Sequence, residues 1–288
     1  MRLIINADDF GMTKSINEAI IELAELGSIS STSVMVNMPF AEDVVKLNTI
    51  GIGLHVNLTQ GKPVLQPDLI SSIVDKNGVF YDKPELLSLL QSKKISPEHI
   101  YLEIEAQYRK LKEIYNGQIT HVDSHQGVNK LPLVINSLVR LSNQFDRKLS
   151  LRYYKKIYIR EHTDHFTLIK PSLEMIPYLG FVRIIKEIYI SNKAKKLSKH
   201  FNIPDGLLLT KSHNINDVFQ ALIKFNQKSF LSKDDLLVEI GCHPATNILD
   251  LKSTSLTNER VKEYQTLRSE SFITTIKELN LISYPITN

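Results

Sequence analysis

Apolar runs of strand length alternate with amphipathic stretches of helix length along most of the chain. The short apolar runs predict strands at residues 2–7, 32–37, 52–58, 119–124, 149–153, 236–242 and 281–284. Apolar residues at helical spacing predict helices over residues 14–26, 40–47, 97–115, 131–145 and 258–279. Local signals support two of these helices: Pro97 follows the N-cap candidate Ser96, and Gly27 provides a stop for the first helix.

Repeated alternation of strand and helix implies a parallel sheet covered by outer helices. We predict the α/β class and a distorted (β/α) TIM-like barrel, which fits 288 residues better than an open sheet does. No glycine-rich loop follows a predicted strand, which argues against a nucleotide-binding Rossmann domain. Since no interior linker is visible, we expect a single domain over residues 1–288, in which residues 155–235 form a less regular excursion near the barrel mouth.

Composition places the chain among ordinary globular proteins, because 42% of its residues are hydrophobic and 23% are charged. No apolar run is long enough to predict a membrane-spanning helix. Two early acids, Asp8 and Asp9, argue against a signal peptide, so the expected location is cytoplasmic. The one cysteine excludes an internal disulfide framework and a cysteine-based zinc cage.

The net charge of +4 is small, but basic residues are concentrated between residues 183 and 199. That stretch holds six basic residues and a single acid, Glu187. A solvated helix or loop face explains it better than a nucleic-acid site, because no basic motif interleaved with aromatic residues is present. We therefore expect no nucleic-acid partner.

Polar residues gather at the carboxyl ends of four predicted strands, where a barrel carries its active site. They lie in the segments NADDFG, GLHVN, THVDSH and EIGCHP, which begin at residues 6, 53, 120 and 239. Asp8 and Asp9 directly follow an apolar strand, where two buried carboxylates repel each other unless a cation neutralises them. An acidic pair at the amino end of the next helix is the alternative interpretation.

Strand alternation puts His55 on a polar face and puts His121, Asp123 and His125 together on another. Asp123 is placed to orient a neighbouring imidazole. Together the four segments supply one or two aspartates and two or three histidines. One carboxylate and two imidazoles with open positions suit a catalytic divalent metal.

Two remaining groups are candidates for proton transfer. Asp8 is the spare carboxylate and a candidate general base, while His243, at the end of its strand, is a candidate general acid. Cys242 precedes His243 directly, but adjacent strand residues point apart, which disfavours a cysteine–histidine dyad.

Six motifs occur in an order that resembles a known family: NADDFG, STSVMVN at residues 31–37, GLHVNLT at 53–59, THVDSH, DHF at 164–166 and CHP at 242–244. The chain resembles the YdjC-like carbohydrate deacetylases, the family of the chitooligosaccharide and hopanoid-associated deacetylases. The similarity covers essentially the whole chain and is weakest between residues 170 and 230.

The resemblance implies a metal-dependent hydrolase that removes the N-acetyl group of an amino sugar or oligosaccharide. Carried over by motif, the metal ligands are Asp9, His55 and His125, the general base is Asp8 and the general acid is His243. The resemblance also implies a homodimer. Ligand preference favours Zn²⁺, and the family also allows Mg²⁺.

One segment departs from the family pattern, because DSHQGVN stands where DSHHHVH is usual. The ligand candidate His125 is kept, whereas Gln126, Gly127 and Asn129 replace histidines, which leaves the identity of the sugar open. Two alternative functions stay open as well. One is a metal-dependent phosphoester hydrolase on the same ligands, and the other is a non-catalytic metal-bearing homologue that binds sugar.

Overall fold

The computed structural model describes residues 2–144, 147–155, 157–160, 166–169, 173, 181–209, 215, 236–252 and 254–285. Asp164 and His165 of the DHF motif lie outside these residues, as does much of the stretch 155–235. None of the described helices is long and apolar enough to cross a membrane.

The main sheet is parallel and carries strands from both ends of the sequence. Its order is β5-β4-β3-β2-β1-β9-β8, and β10 also pairs with β1. The bounds are β1 Arg2–Phe10, β2 Ser31–Val34, β3 Gly51–Val56, β4 Ile119–Ser124, β5 Ser150–Leu151, β8 Gly206–Leu209, β9 Leu237–Cys242 and β10 Asn280–Leu281. A parallel bridge from Ser150 to Asn202 brings the two outer ends together. The sheet is therefore curled into the distorted barrel that the sequence predicts.

Helices cover the outer side of this sheet. Their bounds are α1 Lys14–Glu25, α2 Lys83–Gln91, α3 Pro97–Ile114, α4 Pro132–Ser142, α5 Phe181–Leu197, α6 Asn258–Leu267 and α7 Glu270–Lys277. In α1, the Thr13 side chain accepts from the Ile16 amide, and a stripe that includes Ile20 and Leu23 is buried. This helix matches its prediction closely.

Two predictions of helices need correction, and one helix was missed. Residues 40–47 form a 3-10 helix, Ala41–Lys46, and not an α-helix. Residues 258–279 form two helices, since the Ser269 side chain accepts from the Phe272 amide and starts a new helix there. The helix α2 was not predicted from the sequence.

The stretch 155–235 contributes more regular structure than the sequence indicates. β6 Ile157–Arg160 and β7 Phe166–Ile169 form an antiparallel pair apart from the main sheet. Helix α5 carries five of the six basic residues of the stretch 183–199, and Lys199 follows its end. β8 then enters the main sheet beside β9, so this part of the stretch belongs to the curled sheet itself.

The inside of the curled sheet is apolar at one end and polar at the other. Ile4, Leu237 and Tyr284 form a small buried cluster toward the amino ends of the strands. Further along the same strands, alternation brings Asp8 of β1 and Glu239 of β9 to the inside. The polar end is the one formed by the carboxyl ends of the strands, where the candidate site lies.

Candidate metal and catalytic site

Asp8 and Asp9 reach the same pocket because the backbone of β1 is irregular at its end. Neighbouring residues of a regular strand point to opposite faces. Here the pairing with β2 shifts register between Ala7 and Phe10, and Asp9 has a φ of 69°. Aspartate tolerates this left-handed conformation better than most residues. Both carboxylates are thereby buried in one place, with 4% and 2% exposure.

The three predicted metal ligands lie together in the structure. The Asp9 Oδ1 atom is 2.9 Å from His125 Nδ1 and 3.2 Å from His55 Nε2. One ligand atom from each of the three residues lies within 4.8 Å of the others, and all three residues are buried. The arrangement offers one carboxylate and two imidazoles to a single point.

His55 is held in one orientation by Asp123, which the sequence predicts as the residue that orients a neighbouring imidazole. Its Nδ1 atom is 2.6 Å from Asp123 Oδ1 and 3.0 Å from Ser33 Oγ. A proton on Nδ1 donated to Asp123 leaves Nε2 facing Asp9. Burial lowers the pKa of His55, but the neighbouring Asp123 and Asp9 carboxylates outweigh it and raise the pKa to about 10.

The segment that departs in sequence from the motif of the similar family begins at His125 and forms a 3-10 helix, His125–Lys130. Gln126 and Gly127 both adopt left-handed φ values, 52° and 70°. Asn129, where the family has histidine, donates from Nδ2 to the Arg152 carbonyl at 2.9 Å. This replacement therefore ties the loop to the end of β5.

Two buried arginines complete the site, and the sequence analysis missed both. Arg260 Nη2 lies 2.5 Å from Asp9 Oδ2. Burial raises the pKa of Asp9, but Arg260 and then His125 hold it well below its ordinary value. Arg152 contacts Asp8, Asp123 and Glu239. A signal existed, since Arg152 and Glu239 are charged residues inside apolar strand-like runs and need buried partners there.

The charge balance of the described site fits a divalent cation. The carboxylates of Asp8, Asp9, Asp123 and Glu239 are buried and face two buried guanidinium groups, which leaves two formal negative charges when all are ionised and the imidazoles are neutral. Burial raises the pKa of Glu239 to about 7 in spite of Arg152. A proton on His55 partly offsets this excess charge, and a bound cation would do the same. Carboxylate and imidazole donors suit Zn²⁺ among other divalent ions.

His243 lies at the same mouth, directly after β9. Its Nε2 atom is 3.6 Å from Asp8 Oδ2, and its side chain is 17% exposed. Its backbone amide donates to Glu263, while its Nδ1 atom has no hydrogen-bond partner among the described residues. Cys242 instead faces the Asn6 carbonyl, and burial raises the pKa of this thiol well above its ordinary value. These contacts agree with the prediction that Cys242 and His243 do not act as a dyad.

His121 belongs to no group of possible metal ligands among the described residues, although it shares a strand face with Asp123. Its ring stacks on Tyr284, with 3.9 Å between ring centroids. It also fills the space that a side chain at position 53 would need, because a Cβ atom on Gly53 would lie 2.3 Å from His121 Nε2. Burial lowers the pKa of His121 to about 3, so this imidazole is neutral.

A pocket of about 510 Å³ opens above these groups. Its lining includes the charged and imidazole groups of the site and several residues beyond it, namely Asp8, Asp9, His55, His125, Arg152, His243, Arg260, Lys83, Gln126, Gly127, Lys130 and Leu256. Pockets of this size take small-molecule ligands.

Comparisons with known proteins point to one family. A family model described as YdjC-like protein matches residues 2–278. A carbohydrate deacetylase of Clostridium beijerinckii is 29% identical, over 98% of this chain and 97% of that relative. Carbohydrate deacetylase 2 of Listeria innocua serovar 6a is 37% identical over 50% of this chain and 58% of the relative.

Other comparisons agree with these. A carbohydrate deacetylase of Thermoanaerobacter pseudethanolicus is 33% identical over 50% of this chain and 57% of its own length. The matched region thus spans little more than half of this relative and of the Listeria protein. A solved structure from Enterococcus faecalis V583, provisionally named a cellobiose-phosphate cleavage protein, superposes with a TM-score of 0.69 at 23% identity, over 98% of this chain and 96% of that chain. That likeness supports the fold.

Proposed function

We propose that this chain, which belongs to the YdjC-like protein family, is a metal-dependent hydrolase that removes an N-acetyl group from an amino sugar or oligosaccharide. The observation that carries the proposal is the convergence of Asp9, His55 and His125 beside Asp8 and His243 in one pocket. The names of the three relatives described above, each a carbohydrate deacetylase, support the substrate class.

In this proposal Asp9, His55 and His125 hold a divalent cation, Zn²⁺ or Mg²⁺. When bound, such a cation polarises a carbonyl group and lowers the pKa of a water molecule. The Asp123 carboxylate contributes by fixing the His55 ring, so that Nε2 stays aimed at the ligand position.

Asp8 acts as the general base. Arg152 contacts both of its oxygens, and Asn6 also donates to Oδ1. The Oδ2 atom, which accepts a single hydrogen bond among the described residues, keeps a second lone pair that can accept a proton from the attacking water. The new bond joins the water oxygen to the acetyl carbon, and the water proton passes to Asp8.

His243 acts as the general acid. The carbon–nitrogen bond of the amide breaks productively only when the leaving amine receives a proton, because otherwise the tetrahedral intermediate returns to substrate. The Nε2 atom of His243 lies on the Asp8 side of the pocket and supplies that proton. Acetate and the free amino sugar are the products.

Several further properties remain predictions from the sequence and the resemblance. These are a cytoplasmic location, a homodimer, the lack of a nucleic-acid partner and the single domain over residues 1–288.

Release of acetate tests the proposed function. The purified chain, supplied in turn with Zn²⁺ and Mg²⁺, is incubated with chitobiose, longer chitooligosaccharides and N-acetylated glycolipids. We expect acetate from at least one of them, none from Asp9→Asn, and wild-type rates from the exposed control Asp68→Asn. Phosphate release from phosphoesters without acetate would favour a phosphoester hydrolase. Sugar binding without either product would favour a non-catalytic homologue.

A further inference from the structure

Arg152 lies at the centre of a buried cluster of charges, with 6% of its surface exposed. Its Nη1 and Nη2 atoms lie 2.6 Å and 2.7 Å from the two oxygens of Asp8. Nη2 is also 3.0 Å from Asp123 Oδ2, and Nε is 2.5 Å from Glu239 Oε1. A single guanidinium group thus connects three carboxylates from β1, β4 and β9.

The contact between Arg152 and Asp8 fixes the orientation of the Asp8 carboxylate as well as pairing its charge. A guanidinium group is a planar fork, so two parallel contacts hold a carboxylate in the plane of that fork. Asn6 adds a third contact, since its Nδ2 atom donates to Asp8 Oδ1 at 2.9 Å. The carboxylate assigned as general base is therefore held in one orientation.

Arg152 is itself held by contacts to its side chain and to its backbone. Glu239 contacts Nε, on the side of the guanidinium group away from its two contacts with Asp8, and Asp123 contacts Nη2, which also contacts Asp8. The Arg152 amide donates to the Val122 carbonyl at 3.0 Å, and its carbonyl accepts from Asn129 at 2.9 Å. A lysine ammonium group at this position is a point charge on a flexible stem and cannot reproduce the fork.

Asp123 belongs to both halves of the site. Its Oδ2 atom faces Arg152, whereas its Oδ1 atom is 2.6 Å from His55 Nδ1. An unbroken series of contacts therefore runs from Asp8 through Arg152 and Asp123 to His55. Glu239 touches Arg152 but lies outside that series, since its described contacts do not include His55.

We infer that Arg152 is a positioning residue that fixes the orientation of the Asp8 carboxylate, and that Asp123 links this base to the metal ligand His55. The inference rests on the proposed function, because it assigns Asp8 and His55 the roles given above. It separates the effects of three residues: Arg152 and Glu239 affect the base alone, while Asp123 affects both the base and the metal.

Three conservative variants test this separation, with kcat, KM and metal affinity as the readouts. Arg152→Lys is expected to lower kcat roughly 100-fold, as misorientation of a catalytic group does, with little change in KM or metal affinity. Glu239→Gln keeps an acceptor for Arg152 and is expected to give a smaller loss of kcat, with KM and metal affinity unchanged. Asp123→Asn is expected to lower kcat and also metal affinity, the latter by about 10- to 100-fold. The exposed Arg140→Lys is the matched control.

A double-mutant cycle distinguishes positioning from a general structural role. If Arg152 acts through Asp8, then Arg152→Lys has no further effect on kcat in a chain that already carries Asp8→Asn. Losses that multiply in the double variant would overturn the inference. So would a kcat of Arg152→Lys within threefold of wild type, or an equal loss of metal affinity in Glu239→Gln and Asp123→Asn.

Two measurements keep the inference testable without acetate release. Metal affinity is measured by titration of each variant, and crystal structures of the metal-loaded variants show the Asp8 carboxylate directly. We expect this carboxylate to turn or to take several orientations in Arg152→Lys, and an unchanged orientation would contradict us. If Arg152→Lys does not fold, Glu239→Gln is assessed by the same two readouts. Absence of acetate from the wild type would overturn the proposed function but leave these two results to decide the inference.

Discussion

Asp8 and Asp9 are neighbours in sequence, but their contacts differ, and so do the roles that we propose for them. Asp9 Oδ1 faces both imidazoles, and its Oδ2 atom faces Arg260. Asp8 is held by Arg152 and lies toward His243. The left-handed backbone at Asp9 makes this division possible, because it turns the second carboxylate into the pocket of the first.

Replacing each aspartate by asparagine is expected to separate these roles. Asp9→Asn removes the anionic ligand and should lose bound metal. Asp8→Asn should keep metal and fold yet lose turnover by several orders of magnitude, since the base is gone while the ligands stay. Elemental analysis of the purified variants, together with acetate release, measures both effects. Equal loss of metal in the two variants would make Asp8 a ligand or an anchor of the ligands, and not the base.

His243 is expected to matter only when the leaving group needs a proton. His243→Ala should lower amide hydrolysis roughly 10²- to 10⁴-fold. An activated ester, whose leaving group departs as an anion, should be spared much of that loss. Rates on an N-acetyl sugar and on an activated acetate ester, measured side by side, decide this. Equal losses on both substrates would remove His243 from the proton transfer.

The residues of the site differ in how far the sequence could predict them. His55, Asp123 and His125 follow from strand alternation at strand ends, and the structure brings them together. Arg152 and Arg260 could not be paired with their partners, because those contacts join residues 144 and 251 positions apart in sequence. Sequence patterns show that a charged residue in an apolar run needs a partner, but not which partner the fold supplies.

Among the elements, those with their own pattern were predicted best. β4 matches its predicted bounds, and α1 differs by a single residue at its end. β8 was not predicted, since so short a strand owes its conformation to pairing with β9, whereas β5 occupies two residues of the strand predicted over 149–153. The break between α6 and α7 depends on one capping serine within an otherwise helical pattern.

The contact between β3 and β4 predicts a pH effect on stability. Gly53 of β3 leaves room for the His121 ring of β4, which stacks on Tyr284. The pKa of His121 is about 3 in the folded chain, against an ordinary value of 6.5. Below pH 6.5 the unfolded chain therefore binds a proton that the folded chain does not, so stability falls as the pH drops from 6.5 toward 3.

His121→Phe should remove this part of the pH dependence while it keeps an aromatic ring against Tyr284. Urea unfolding at a series of pH values between 7 and 4 measures the difference, with His200→Gln as a control histidine outside the sheet. The wild type and the control should lose more stability over this range than His121→Phe does. Parallel curves for all three would show that His121 is protonated without cost in the folded chain.

At the scale of the whole molecule, the interior of the curled sheet is divided into an apolar end and a charged end. Ile4, Leu237 and Tyr284 close one end, while four carboxylates and two guanidinium groups occupy the other. Burying several like charges costs free energy unless they are paired or neutralised. The fold therefore carries, at the candidate site, an excess of negative charge that a bound cation would relieve.

This excess predicts that the folded state is stabilised by divalent cations. A ligand that binds only the folded chain adds about 2.7 kcal/mol of stability at 100 times its dissociation constant. Thermal unfolding of metal-stripped protein, repeated with added Zn²⁺ or Mg²⁺, should show a rise in Tm that Asp9→Asn abolishes.

Glu113→Gln, an exposed change on α3, should keep the rise and so controls for cations held by surface charge. Because Asp8→Asn leaves the three ligands in place, it should keep the rise as well, although it loses turnover. The same rise in Asp9→Asn and the wild type would place the stabilising cation elsewhere, and no rise in the wild type would show that buried arginines and protonated His55 already balance the site.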